Sequence, residues 1–517
     1  MTRQVLFAVL LGACLSVGLL AAGCEPAGEA PPAETLDVGI GTDVEHWSPR
    51  EFPGGDARFV WCQVFETLVR LTPELELEPG LALSWHPSDG GRTWEFRLRP
   101  GVRFHNGEPF TAEAVAFSYG PESYSRGTIL RAVRSVEVVD PETVRFHLRR
   151  PMPLPQYLTH IGWPVMSPDC LDAEGRVERP IGTGPFRFES HAKGEEIVLR
   201  RNPDYRGGPG EVERVVFRII PDAAARLIAL QAGELDMAVK VPDADVPRLE
   251  EHPGIQVHRT LSTFTDFVQF NCRRGPFSDP RMRRAVAQAV DTDALVRELL
   301  AGVGQPAEGR PLSPVMHYTD VDLDPIRYDP GPARALLEEA GWMDADGDGV
   351  AERDGEPLRV RLLVTQNPNV GAGGRFPIIA EALQAALGRV GMKVGVQMLE
   401  SGAFLRAEKE GEFDMLLRTG YYVWGGYPRH FFLHHSANPF SHFGNEEFDR
   451  LVEEADAAPD ETTRRELYHR LQRETMRLLP AFYMVHREKV VAARRNVAGY
   501  PISAEGPWLE LRSVTLE

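Results

Sequence analysis

The chain has 517 residues, 43% hydrophobic and 26% charged, with a formal net charge of -18. That length is more than one ordinary core organises and leaves room for two or three domains. Such an acidic balance argues against nucleic acid as a partner, and five cysteines without a CxxC pair give no support to thiol redox chemistry or a cysteine zinc site.

At the amino terminus Arg3 precedes an apolar run from Val5 to Leu20, short for a membrane span and of the right length for a signal-peptide core. Leu20-Ala21-Ala22-Gly23-Cys24 follows and is similar to a bacterial lipobox, although Ala21 stands where leucine is usual. Residues 1–23 therefore read as a lipoprotein signal peptide, Cys24 as the lipidation site, and 24–35, rich in Ala, Pro and Glu, as a flexible tether. An ordinary secretory signal is the competing reading, and Cys14 a second candidate with a shorter apolar core. Cleavage removes one charged residue, Arg3, so -18 becomes -19. Of the remaining Cys62, Cys170 and Cys272, either two form a disulfide or all three are thiols; simple burial is the default.

Residues 81–117 carry the clearest local pattern. Trp94, Phe96 and Leu98 alternate with Thr93, Glu95, Arg97 and Arg99, the period of a strand with one buried face. Pro100-Gly101 and Asn106-Gly107 turn the chain twice, and Thr111 can cap a helix through Val115 and Phe117. The block predicts strand, turn, strand, turn, helix. Farther on stand Pro180-Ile-Gly-Thr-Gly-Pro-Phe186, Arg201-Asn-Pro-Asp-Tyr205, Ala229-Leu-Gln-Ala-Gly-Glu-Leu-Asp236 and Pro276-Phe-Ser-Asp-Pro-Arg281. Together with residues 81–117, these runs resemble the extracytoplasmic binding proteins of peptide and nickel ABC transporters, solute-binding family 5. Thr111-Ala-Glu-Ala114 lacks the acidic residue usual at the fourth place of its motif.

Asp279 and Asp329, each followed by proline, can cap helices, the second stopping at Gly341. From 358 to 418 the pattern predicts strand (358–364), helix (377–390), strand (392–399), short helix (403–410) and strand (413–418), then a long helix over 461–479. This alternation is α/β with mainly parallel pairing. The resemblance adds a type II periplasmic-binding-protein fold: two lobes around a hinged ligand cleft plus an extra α/β domain. By that analogy lobe I is built from 36–75, 179–277 and 487–517, domain II is 76–178, lobe III is 278–486, and the hinge crossings lie near 277 and 486.

Motifs for chemistry are sparse. Ser190-His-Ala-Lys193 matches SxxK without its partner motifs, and Gly302-Val-Gly304 lacks a dinucleotide context. Asp344, Asp346 and Asp348 with Gly349 resemble the first half of an EF-hand loop, but the twelfth position is Gly355; calcium there is a minor, structural reading. No catalytic residues and no cofactor are expected.

The ligand question centres on 414–446. In peptide-binding relatives an aspartate in a segment like Gly420-Tyr-Tyr-Val-Trp-Gly-Gly-Tyr-Pro428 takes the peptide's amino group; here Trp424 stands in its place, and no Asp or Glu occurs from Met415 through Asn445. The arginine that receives the carboxylate in dipeptide-binding members is replaced by Thr365-Gln366-Asn367, with Arg375 the nearest substitute. The candidate ligand residues are Tyr421, Tyr422, Trp424, Tyr427, His430, Gln366, Asn367 and Arg375, with His434, His435 and His442 in the same aromatic and imidazole stretch. The resemblance implies a monomeric receptor of an ABC importer, periplasmic and lipid-anchored, that captures a peptide-like or other small organic solute for a membrane permease. A nickel or metal-chelate receptor is the alternative, and a sensor or chaperone, or a hydrolase, the reading from another class.

Overall fold

The protein is described here by a computed structural model, in which residues 34–48, 55–120, 132–174, 176–177, 179–366, 374–420, 423–424, 427–458, 460–505 and 510–517 are defined, 423–430 by backbone alone. The signal segment, Cys24, Asn367, Tyr421 and Tyr422 lie outside the described residues. Residues 34–517 form one compact unit. Among the described residues no helix is long and apolar enough to cross a membrane.

One large sheet organises the body. Its strands run in the order Lys393–Leu399, Arg359–Thr365, Met415–Thr419, Ile255–Phe270, Ala481–Arg494, Met237–Val239, Thr35–Ile40, Arg214–Ile219, Glu196–Arg201 and Phe186–Ala192. Each half has a parallel group. Thr35–Ile40 pairs in parallel with both Arg214–Ile219 and Met237–Val239, and Arg359–Thr365 does so with Lys393–Leu399 and Met415–Thr419. The halves are joined by two long antiparallel strands, Ile255–Phe270 and Ala481–Arg494.

These two strands pass between separate cores. Val268, Phe270, Phe482, Met484 and Val485 belong to a cluster with the helices Pro280–Ala289 and Arg375–Gly388. Val491 and Ala493 belong to another with Leu36, Val38, Trp61 and Phe217. A third core, around Phe96, Tyr119, Phe146 and Trp163, fills beneath a four-stranded antiparallel sheet spanning Ala82 to Leu148. Apolar side chains on alternating strand positions and on one helix stripe account for each cluster.

Local expectations meet the structure at most elements. Thr93–Leu98 is a strand, with Phe96 and Leu98 buried. The second strand predicted after Pro100-Gly101 reduces to one isolated bridge, Arg103 to Pro109, because four residues between two turns leave no room for a ladder. Thr111 precedes the helix Ala112–Tyr119 in an extended conformation, yet its side chain makes no capping bond. Asp279 and Asp329 do cap, accepting from the amides of Arg281 and Gly331. The strand, helix, strand, helix, strand run is found at Arg359–Thr365, Arg375–Gly388, Lys393–Leu399, Ser401–Glu410 and Met415–Thr419. Cys62, Cys170 and Cys272 are free thiols, and burial pushes Cys170 up to about 12 and Cys272 to about 11.

The motif Pro180–Phe186 acts as a backbone joint. A Cβ on Gly182 would stand 2.1 Å from the Val64 carbonyl oxygen, and one on Gly184 2.5 Å from that of Gln63. Gly184 N donates to Val64 O at 2.9 Å, so only glycine lets this segment lie this close to the end of the helix Ala57–Val64, and His105 N donates to Gly182 O at 2.9 Å from the domain of the third core. Asn202 of the Arg201–Tyr205 run is buried and donates to Gly184 O.

Candidate functional site

In parallel α/β sheets ligands bind beyond the carboxyl ends of the strands. Here the carboxyl ends of both parallel groups approach each other beside the two crossing strands. From one core, Ile40 leads into Gly41 and Thr42, whose amides donate to Asp56 Oδ2 at 2.7 and 3.1 Å; Asp56 is fully buried and paired with Lys240. Val239 leads through Lys240 to Asp243. From the other core, Thr365 and Thr419 end their strands, both buried.

The two sets of loops meet in an ion cluster. Arg375, at the start of the helix Arg375–Gly388, places Nη2 2.6 Å from Asp243 Oδ1 and Nη1 3.5 Å from Asp266 Oδ2. Asp266 belongs to the crossing strand Ile255–Phe270 and is cross-strand neighbour to Thr419. Arg375 is 4% exposed and Asp266 wholly buried. Burial holds the Asp243 carboxyl above the usual carboxylate range, with the Arg375 guanidinium opposing it. Asp266 Oδ1 and Arg375 Nε are buried without hydrogen-bond partners.

The crossing strands lose register at this level. Leu261 faces Glu488 and Thr265 faces His486, so three residues of one strand oppose one of the other; a second shift follows between Asp266 and Phe267. Ser262 Oγ donates to Arg487 O at 2.7 Å in place of a ladder bond. Farther along, Lys489 Nζ donates to Ser503 O at 2.6 Å, and burial together with Arg58 and Arg487, against Glu505, draws its ammonium down to about 7.

The sequence candidates are distributed unevenly over this region. Val423–Trp424 pairs antiparallel with Tyr427–Pro428, making Trp424 and Tyr427 direct partners, and His430 lies in the short helix Arg429–His434 that follows. Gln366 is exposed at its strand end, its amide donating to Leu399 O. Arg375 is engaged by protein carboxylates. The other histidines are structural: His434 shares a hydrogen bond with the Tyr483 hydroxyl, His442 with Glu408 O, and His435 stacks on Phe432 beside Glu453. Sequence reading missed Asp243, Asp266, Arg487 and Lys489. The charged run Arg487-Glu488-Lys489 in the otherwise apolar strand 481–494 is the signal that could have found the last two.

Two other features lie apart. A cavity of about 450 Å³ opens between the second and third cores, lined among others by Glu66, Arg70, Tyr205, Glu510 and Arg512; among the described residues, none of the sequence candidates borders it. Asp344, Asp346, Asp348 and Glu352 bring ligand atoms within 4.8 Å of one another at the surface. Asp344 already accepts from the amides of Gly347 and Gly349, as in a tight acidic turn.

A family model described as bacterial extracellular solute-binding proteins, family 5 Middle, matches residues 76–439. The chain is 28% identical to the nickel-binding periplasmic protein of Escherichia coli strain K12, with 99% of each covered. It is also 28% identical to di/tripeptide-binding protein 2 of Pseudomonas aeruginosa strain UCBPP-PA14, over 94% of this chain and 96% of that one. The crystal structure of NikA from Brucella suis in complex with Fe(III)-EDTA matches with a TM-score of 0.84 at 25% identity, covering 93% of this chain and 100% of that one. Similarity along nearly the whole chain, over a sheet of this topology, makes the protein a member of the bacterial extracellular solute-binding proteins of family 5, with the type II periplasmic-binding fold.

Proposed function

We propose that the protein is the substrate-binding component of an ABC importer, capturing a peptide-like or other small organic solute between two lobes and presenting it to a membrane permease. The observation that carries this reading is the meeting of two sets of strand carboxyl ends beside a pair of strands that link separate cores. Lobe I is taken as 36–75, 179–277 and 487–517, domain II as 76–178 and lobe III as 278–486. The register breaks support a hinge at 261–266 and 486–488, so the first crossing lies earlier than residue 277. Binding energy that differs between open and closed forms shifts the protein to the closed one, which the permease reads. The protein works outside the cytoplasmic membrane as a monomer, anchored through Cys24, and is not an enzyme; ATP hydrolysis falls to other subunits.

A metal-chelate receptor is the second reading, favoured by the likeness to NikA from Brucella suis in complex with Fe(III)-EDTA. His434, His435 and His442 are committed to protein partners, which favours a chelated metal over one bound directly by those imidazoles.

A thermal-shift panel of dipeptides, oligopeptides, sugars and nickel with chelators tests both. A ligand at 100 times its Kd stabilises the native state by about 2.7 kcal/mol, enough to raise the melting temperature clearly. A shift with one class names the solute; no shift with any counts against the receptor. Trp424→Ala is expected to weaken binding of that solute about tenfold or more at unchanged melting temperature, and wild-type affinity in the folded variant would remove Trp424 from the site.

A further inference from the structure

The cavity of about 450 Å³ between the second and third cores has a wall that is bonded in place. Gln63 Oε1 accepts from Leu511 N at 3.3 Å while its Nε2 donates to Phe59 O, and Ser503 O accepts from Lys489 Nζ. The Thr67 and Thr159 hydroxyls donate to Val69 O and Gln156 O. Gln63, Ser503, Thr67 and Thr159 all border the cavity, so its outline is held before any ligand arrives.

Charge on this wall is already answered. Arg70 lies 3.3 Å from Glu78 and 3.4 Å from Glu510, Arg512 lies 3.6 Å from Glu510, and Glu66 lies 2.7 Å from Arg206. Each charged side chain among the described wall residues therefore has a partner of opposite sign, and an entering ion would compete with those pairs while losing its own hydration. What the wall lacks is a hydrogen-bond donor. Glu66 is 7% exposed; its Oε1 accepts from Tyr205 Oη at 3.1 Å and from Arg206, whereas Oε2, shut off from water, accepts from no group. Buried carboxylate oxygens are ordinarily bonded. The terminal torsion of a glutamate is soft, so a small turn carries Oε2 toward a donor arriving in the cavity. The Tyr205 hydroxyl, its proton committed to Glu66, likewise keeps a lone pair to offer. Phe65, Leu71, Ile161 and Pro185 give the same cavity its apolar wall.

We propose that this cavity is a second binding site, outside the cleft, for an uncharged ring molecule bearing hydroxyl groups, of the size of a mono- or disaccharide. Its hydroxyls donate to Glu66 and Tyr205 without adding charge, and the carbon face of its ring lies on the apolar wall. The site stands independently of the importer-receptor reading.

Calorimetric titration of the purified protein with glucose and maltose, and with glucuronate and glucosamine as the charged counterparts of glucose, tests it. The wild type is expected to bind glucose, maltose or both, and neither charged counterpart within about fivefold of the tighter neutral sugar. Tyr205→Phe, which removes the hydroxyl acceptor, is expected to weaken that binding about tenfold. Leu71→Trp, which fills the cavity, is expected to abolish it, and Trp424→Ala to leave it unchanged. Unliganded melting temperature checks that each variant is folded, and Tyr205→Phe carries the test if Leu71→Trp fails to fold. Absence of sugar binding by the wild type means that the cavity holds water only and overturns the proposal. Binding of glucuronate or glucosamine as tight as that of the neutral sugars overturns it too. Sugar binding lost in Trp424→Ala and kept in folded Leu71→Trp and Tyr205→Phe places the sugar in the cleft, which overturns the second site and leaves the receptor reading standing. Binding that Leu71→Trp removes and Trp424→Ala spares supports the second site, whatever the outcome for the receptor reading.

Discussion

His486 shows what burial does to a single titratable group in this protein. It is 2% exposed on a crossing strand, shares a hydrogen bond with Thr265 Oγ1 at 2.9 Å, and is held down to about 3 by burial, with Arg310 adding to the effect. The folded-state value lies below the unfolded one of about 6.5, so the unfolded chain binds the proton first as pH falls. Stability from this group is whole above about pH 6.5, declines through the window down to about 3, and is fully lost below it. Over the two units from pH 6.5 to 4.5 the loss is about 2 to 3 kcal/mol. Urea unfolding across that range is expected to show it, and His486→Asn to flatten the slope by about that much; an unchanged slope would rule His486 out as the cause. Reading residues from sequence fared differently from site to site. The histidines near 434 and 442 looked like ligands because composition records an imidazole and not the Tyr483 hydroxyl or Glu408 carbonyl that satisfies it. Arg375 looked available to a ligand carboxylate because its partners, Asp243 and Asp266, lie more than 100 residues away in sequence.

Between elements, the Arg375 cluster joins a helix start, a loop after a short strand and a crossing strand. Removing one member of a buried ion cluster strands the others without water, at a cost of about 3 to 5 kcal/mol. Arg375→Ala is therefore expected to destabilise strongly, whereas Arg375→Ala with Asp266→Asn, which removes one buried charge of each sign, recovers part of the loss. A double-mutant cycle by denaturant unfolding measures the coupling, and additive effects would mean that the 3.5 Å approach to Asp266 carries no energy. The elements themselves were legible where a local cause sufficed. Asp-Pro pairs announced two helix starts, and alternating or helical periods announced the strands and helices from 359 to 419 and the helix Glu461–Leu478, but not the helix Glu446–Ala457. Thr111 sits at the right place without bonding, and the predicted strand after Gly101 did not form, since a turn on each side leaves too little chain. Two of the motifs that carried the family likeness, Pro180–Phe186 and Arg201–Tyr205, prove to be joints: Gly182 and Gly184 permit a backbone approach, and Asn202 locks it. They report the scaffold and are silent about the solute.

At the scale of the molecule, what matters is how two cores are coupled through one sheet. A continuous ladder resists bending, and the crossing strands interrupt theirs twice at the same level, leaving Ser262, Thr263 and Phe264 opposite a single residue. Bulges of this kind bend and twist a strand locally. The cluster of Asp243, Arg375 and Asp266 lies beside that break and links the two sides, so a hinge placed there, as proposed, would couple closure to the ion cluster. Opening about such a hinge would part Asp243 from Arg375 and expose both to water. This leads to an expectation for solution scattering. The wild type with saturating solute should have a smaller radius of gyration than without it, and Asp243→Asn, which weakens the link without altering the hinge strands, should enlarge the solute-free radius while leaving the bound one close to wild type. The reasoning is that a solute bridging both lobes supplies closing energy of its own, whereas the free protein depends on the protein's own bridge. If Asp243→Asn leaves both radii unchanged, the ion pair is a structural tie within a rigid body and the hinge must be sought away from residues 261–266.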